Sequence, residues 1–254
     1  MGYHRMRVLL WVLLLAGCVR DGGQPGEAPV NREAQAQAHT ELGLGYYELR
    51  KYQFAIEELN VALDAVANYI PALNGLALVY MGMEDDPKAE SYFKRALRQD
   101  KRNPVTLNNY GQFLCARSRP QEGLQQLLAA ASDPLYDTQD IAFKNAGQCA
   151  RRAGDLNKAE EYFRQAVMRN PRQIQALFNL ADLRHMKNDS AQAKVYLDRA
   201  MQGVESPGPE ILWLAARTAR DLGETEAFNR YATDLRRKFP DAPETRALTE
   251  GRYQ

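Results

Sequence analysis

Among side chains that serve as nucleophiles, transition-metal ligands or proton carriers near neutral pH, cysteine and histidine are the most diagnostic. They are few: Cys18, Cys115 and Cys149, with His4, His39 and His185. A zinc site needs its ligands gathered into one compact unit, and a nucleophilic triad needs a histidine within hydrogen-bond reach of the attacking group. His39 and His185 stand too far apart along the chain to serve either purpose, and no Gly-rich phosphate-cradling motif of Walker or dinucleotide type occurs. No convergent acid, base, nucleophile or ligand set can be assembled. This argues against an enzyme and against a bound metal or organic cofactor.

Cys18 has a chemistry of its own. The chain opens with Arg5 and Arg7, then an unbroken apolar run from Val8 to Ala16, then Gly17 and Cys18. That is the order of a secretory signal peptide. As a helix the run would measure roughly 14 Å at ~1.5 Å per residue, about half of the ~30 Å hydrocarbon core, too short for a spanning anchor. Leu15-Ala16-Gly17-Cys18 resembles the bacterial lipobox, in which cleavage falls before the cysteine and the thiol takes a thioether-linked diacylglycerol. Residues 1–17 are therefore expected to be a lipoprotein signal peptide, and the mature chain to begin at Cys18 with a covalent lipid. Each buried CH₂ contributes ~0.8 kcal/mol, so several acyl chains make a permanent anchor. Residue 19 is Val rather than the Asp that retains lipoproteins at the inner membrane, which points to the periplasmic face of the outer membrane. Residues 18–35 carry Gly22, Gly23, Pro25, Gly26 and Pro29 without an apolar period and read as a flexible tether.

The elements that must follow are helices. The 254-residue chain is 45% apolar and 26% charged, ordinary for a folded body. Only five Ile occur, while Ala, Leu, Gln, Glu and Arg dominate, unbranched or small residues that lose little rotamer freedom in a helix. The formal charge is +1, from 33 Lys and Arg against 32 Asp and Glu, which gives no electrostatic basis for binding nucleic acid.

A period of 34 residues runs through the chain, with units at 36–69, 70–103, 104–137, 140–173, 174–207 and 208–241 and a two-residue insertion at Thr138-Gln139. Slot 8 holds Gly43, Ala77, Gly111, Gly147, Ala181 and Ala215; slot 20 is Ala or Gly in every unit. Slot 24 holds Leu59, Phe93, Leu127, Phe163, Leu197 and Tyr231, and slot 27 is Ala until Asp234. Small residues at slots 8 and 20 let two antiparallel helices approach closely, while the large residue at slot 24 fills the space beside them. The pattern resembles the tetratricopeptide repeat. It implies an all-α, right-handed superhelical solenoid of six repeats, with 242–254 as a short C-terminal capping helix. Slot 11, usually Tyr in that repeat, is Tyr46, Tyr80 and Leu114 but then Ala150, Arg184 and Thr218, which predicts looser packing in the last three units.

Cys115 falls at slot 12 of the third unit and Cys149 at slot 10 of the fourth. Unequal slots are expected to point the two thiols to different sides, so two small packing thiols are expected rather than a disulfide. In the resembling family, slots 2, 5, 9, 12 and 13 of the first helices line a concave wall that serves as the ligand surface. In the first two units this wall includes Leu44, Tyr47, Leu78 and Met81, an apolar groove fit for the apolar face of a partner helix. The fourth unit places Lys144, Gln148, Arg151 and Arg152 there, a basic patch and candidate second contact. Phe178, His185 and Met186 form a third, weaker candidate.

A lipoprotein signal joined to six such repeats is similar to the pilotins of type IV pilus assembly, the PilF/PilW family. Two segments carry the likeness, Glu41-Leu42-Gly43-Leu44-Gly45-Tyr46 and Leu107-Asn108-Asn109-Tyr110-Gly111-Gln112-Phe113-Leu114. The resemblance implies a monomeric, non-enzymatic outer-membrane lipoprotein. Its partner would be the pilus secretin, whose outer-membrane localisation and multimerisation it promotes, in support of pilus biogenesis and twitching motility. The rival reading is a repeat lipoprotein serving another envelope machine, in outer-membrane protein assembly or peptidoglycan-synthase activation.

Overall fold

Residues 31–253 are described by a computed structural model, and among them every regular element is a helix. The order is α1 (Arg32–Glu48), α2 (Tyr52–Ala65), α3 (Ile70–Gly82), α4 (Asp86–Gln99), α5 (Pro104–Ala116), α6 (Pro120–Ala131) and α7 (Gln139–Arg152). It continues with α8 (Leu156–Arg169), α9 (Ile174–Met186), α10 (Ser190–Gln202), α11 (Pro209–Asp221), α12 (Thr225–Lys238) and α13 (Pro243–Thr249). Each odd-numbered helix up to α11 forms a hairpin with the helix after it, and successive hairpins stack into an all-α solenoid. The signal segment, Cys18 and most of the expected tether lie outside the described residues. The last four tether residues, 32–35, are helical rather than loose, because α1 starts at Arg32.

The slot residues hold the hairpins together by close approach. A Cβ on Gly43 would lie 2.7 Å from Leu59 Cγ, one on Gly111 2.7 Å from Leu127 Cγ, and one on Gly147 2.6 Å from the Phe163 ring. A glycine at slot 8 thus admits the large slot-24 side chain of its partner helix, and Leu59, Phe93, Leu127, Phe163 and Leu197 are all fully buried or nearly so. Asp85, Asn103, Asp155 and Asp189 cap their helices by accepting from the backbone N–H three residues on, satisfying donors that the first turn leaves free. Proline opens α5, α6, α11 and α13, where its missing N–H costs nothing.

The turn inside each hairpin shares one device. Arg50, Glu84, Ser118, Gly154, Asn188 and Gly223 all adopt positive φ, between 56° and 81°. That left-handed residue lets the chain reverse in a few residues, and only the last three are of types that favour it.

Looser packing in the last three units is found at one slot-11 position only. Ala150 is buried in a cluster with Ala159 and Phe163, so it is tightly enclosed. Arg184 extends to Glu160 on α8 and takes the place of a ring with an ion pair. At Thr218 the expectation holds: a small cavity lined by Leu197, Met201, Ala215 and Tyr231 reaches it, and its hydroxyl makes no hydrogen bond.

Candidate interaction surface

The first helices α1, α3, α5, α7, α9 and α11 touch one another in series and make a continuous wall. Polar side chains tie neighbours along it. Asn145 Nδ2 donates to Asn108 Oδ1 at 2.8 Å, joining α7 to α5. Arg151 donates to Asn179 Oδ1 at 3.1 Å and pairs with Asp182, joining α7 to α9. Asn74, Asn108, Asn145 and Asn179 are all buried on consecutive first helices, at slots 5 or 6. Sequence reasoning missed this amide series; its near-repeat spacing was the available signal.

The four residues expected to form an apolar groove are each half-buried rather than open. Leu44 Cδ2 would meet a Cβ on Gly75 of α3 at 3.4 Å, so this leucine lies across the α1–α3 contact. Tyr47 packs with the first-repeat core, its ring 6.3 Å from that of Tyr52, and burial together with the neighbouring Tyr52 phenol raises its pKa above the ordinary tyrosine value. Leu78 and Met81 belong to a different cluster, against Phe93, Tyr110, Phe113 and Leu114. The expected groove residues are thus half-covered, because the cores within and between repeats claim part of each side chain.

The basic patch is likewise divided. Arg151 is committed to Asp182 and Asn179. Lys144 is half-buried, and burial lowers its pKa against the opposing pull of Asp140. Arg152 is exposed and makes no ion pair among the described residues. The third candidate does not assemble as a contact area: Phe178 packs into the core between repeats five and six, and His185 is buried, 3.4 Å from Asp221. Burial, with Arg217 nearby, lowers the His185 pKa; only Met186 reaches solvent freely.

The two thiols expected to be free form a disulfide between α5 and α7, with Cα atoms 5.5 Å apart. Unequal slots are what the stacking brings together. Slot 12 of one first helix faces slots 9 and 10 of the next, as Arg151 faces Asp182, and Cys115 meets Cys149 in the same way. Gly123 makes the room, since a Cβ there would lie 2.3 Å from Cys115 Sγ. Among the described residues no group of three or more His, Cys, Asp or Glu could hold a metal ion. No helix among them is long and apolar enough to cross a membrane.

The tetratricopeptide repeat family matches at residues 72–105 and 141–173. The type IV pilus assembly protein PilF of Pseudomonas aeruginosa is 30% identical over 238 residues, 93% of this chain and 94% of that protein. The solved structure of P. aeruginosa PilF superposes with a TM-score of 0.77 at 28% identity, covering 87% of this chain and 99% of that one. PilW, described as a widely conserved type IV pilus biogenesis factor, gives 0.74 at 27% identity, covering 84% and 98%.

Proposed function

This chain belongs to the PilF/PilW family of type IV pilus biogenesis proteins, and from that premise we infer that it is a pilotin whose work is binding rather than catalysis. In this reading it is an outer-membrane lipoprotein held at the periplasmic face by lipid on Cys18. It binds the pilus secretin and promotes secretin placement and multimerisation, supporting pilus assembly and twitching motility. The observation that carries the reading is the end-to-end match to PilF in both sequence and fold.

The mechanism rests on two physical effects. A permanent lipid anchor confines the repeats, and any secretin segment on them, to a thin layer at the inner leaflet, and the raised local concentration favours ring assembly. The wall itself is pre-ordered. Tyr47, Leu78 and Met81 are held by the cores beneath them and Leu44 by its approach to Gly75 of α3, yet all four keep apolar surface in solvent, so a partner gains contact with little side-chain ordering cost. Arg152 supplies an exposed positive charge farther along; Lys144 contributes less because it is partly desolvated, and Arg151 is spent on Asp182.

The test is the double variant Leu44→Glu with Tyr47→Glu, scored with Cys18→Ala in parallel. The wall variant should keep its helical content and membrane location while secretin accumulates as monomers. Normal secretin rings in that variant would remove the wall from the mechanism. Cys18→Ala should leave repeat–secretin binding intact but misplace the secretin, and unchanged placement would count against an escort role.

A further inference from the structure

Between α4 and α9 one edge of the solenoid departs from the rest. The first helices there run parallel: Asn145 of α7 meets Asn108 of α5, and Asp140 at the start of α7 accepts from Asn170 Nδ2 and Gln173 Nε2, just ahead of α9, both at 2.9 Å. The loops that join one hairpin to the next therefore stack along a single edge. Four residues make the α4–α5 loop and four the α8–α9 loop, but seven, 132–138, make the α6–α7 loop between them. Within it Leu135 is 88% exposed, the highest value for a large aliphatic side chain among the described residues. The loop is braced. Asp133 Oδ1 accepts from the Leu135 N–H at 2.9 Å, the Asp133 carbonyl accepts from Gln139 Nε2 at 2.6 Å, and Tyr136 packs with Leu107, Ala130 and Ala142. A single exposed leucine needs no explanation, but one held out on a fixed loop that interrupts the repeat period does.

Positive charge flanks this leucine on both sides. Leu97 near the end of α4 shares a cluster with Tyr136, which sets Lys101 and Arg102 of the α4–α5 loop to one side; Arg169 Nε donates to Gln139 Oε1 at 3.1 Å, which sets Arg169 and Arg172 to the other. All four cations are exposed, and none makes an ion pair among the described residues. At the opposite edge, by contrast, Lys88, Arg117 and Lys158 each pair with an aspartate. Of the carboxylates on the three loops, Asp100 and Asp133 each accept a backbone N–H of their own loop, and Asp137 remains. Val105 and Ile141, in the first turns of α5 and α7, add exposed apolar surface at the same edge. A protruding loop is a knob, not a groove for a partner helix, and a second copy of the edge would set cations against cations. An anionic bilayer supplies both halves of the complement, phosphates for the cations and an apolar layer for the leucine. Because α1 starts at this edge too, Arg32, through which the anchored segment joins the repeats, lies on it.

We propose that this edge is a membrane-contact surface: Leu135 enters the headgroup region of an anionic bilayer while Lys101, Arg102, Arg169 and Arg172 engage its phosphates. The inference goes beyond the pilotin reading and takes from it only the lipid on Cys18, which keeps the edge near the bilayer. An anchor at one residue limits distance but does not set orientation. This contact stands the first helices upright on the membrane and leaves the inner wall open to a partner along its length.

The full mature chain is mixed with vesicles of phosphatidylcholine alone or with phosphatidylglycerol as about a third of the lipid, and amide hydrogen exchange is read on both. Phosphatidylglycerol should slow exchange across residues 132–142, with 100–105 and 170–174 beside them, and added salt should reverse the effect. Lys101→Glu with Arg102→Glu should weaken the contact about 25-fold or more, at about fivefold per cation, and return exchange to its rate on phosphatidylcholine. Leu135→Glu should do the same at unchanged thermal stability, because that side chain already lies in water. Arg50→Glu with Lys51→Glu, which reverses two exposed cations of the opposite edge, should behave as the parent does. Identical exchange on the two kinds of vesicle, or an Arg50 and Lys51 pair that matters as much as Lys101 and Arg102, would refute the contact. Equal protection by soluble polyglutamate would assign the cations to an acidic polymer, and protection that appears without vesicles as the protein is concentrated would assign the loop to a second copy; either overturns the proposal. Failure of the anchor reads differently. The chain then stays off phosphatidylcholine vesicles, while binding to those with phosphatidylglycerol still tests the edge.

Discussion

Glu90 and Glu160 occupy the same slot of repeats two and four, and each gathers donors from the hairpin that follows. Glu90 accepts from Tyr110 Oη at 2.7 Å and Arg119 Nη1 at 3.0 Å, with Lys94 Nζ at 2.8 Å. Burial alone would raise its carboxyl pKa, but these donors outweigh burial and hold it at about 2, below the ordinary 4.5. A depressed folded-state pKa stabilises the protein fully above the unfolded value and loses that contribution as pH falls through the folded one. Glu90→Gln should therefore melt below the parent at pH 6, and the gap should close as pH falls from about 4.5 toward 2; a gap independent of pH would show that the carboxylate charge is not what stabilises the contact. Glu160 is more enclosed and is surrounded by Arg164, Arg184 and Lys187. It also shows why Arg184 reads as a packing defect in the sequence. The residue that accounts for it lies on α8, in the preceding hairpin, and no pattern of consecutive slots names that partner.

Between elements, stagger carries information that the period alone hides. The 34-residue repeat makes the contact inside each hairpin legible, because Gly43 with Leu59 and Gly147 with Phe163 recur at fixed slots. It does not make legible how one first helix slides along the next. That offset brings Cys115 to Cys149 and covers half of Leu44 and Tyr47. The turns are opaque for another reason: Arg50, Glu84 and Ser118 take up left-handed backbone that their side chains disfavour, imposed by the two helices they join. The disulfide closes a loop of 34 residues, for which chain entropy gives about 4 kcal/mol, less any strain. Reduction, or Cys115→Ser with Cys149→Ser, should lower the stability of repeats three and four by roughly 2–4 kcal/mol in a denaturant titration. Adding reductant to the double variant should change nothing, which separates loss of the bridge from side effects of the reagent.

At the scale of the molecule, each hairpin among the described residues contacts only its neighbours, so stability is a sum of units and interfaces rather than the property of one core. This is why the repeat pattern names the fold while saying little about the ends, where a unit has a neighbour on one side only. The C-terminal end is finished by parts outside the period. Besides α13, Tyr253 stacks on Trp213 with centroids 5.6 Å apart, Arg217 Nε donates to its carbonyl at 3.0 Å, and Arg220 lies over its ring. Deleting residues 242–254 would expose Leu212, Leu235 and Trp213 together, at a cost of a few kcal/mol if each buried large side chain contributes about 1.5–3 kcal/mol. In a nearest-neighbour stack that loss stays local. Amide exchange should accelerate in α11 and α12, fade through α9 and α10, and leave α1 to α6 at parental rates; uniform acceleration along the chain would mean that the solenoid unfolds as a single cooperative block and that its ends are not independent.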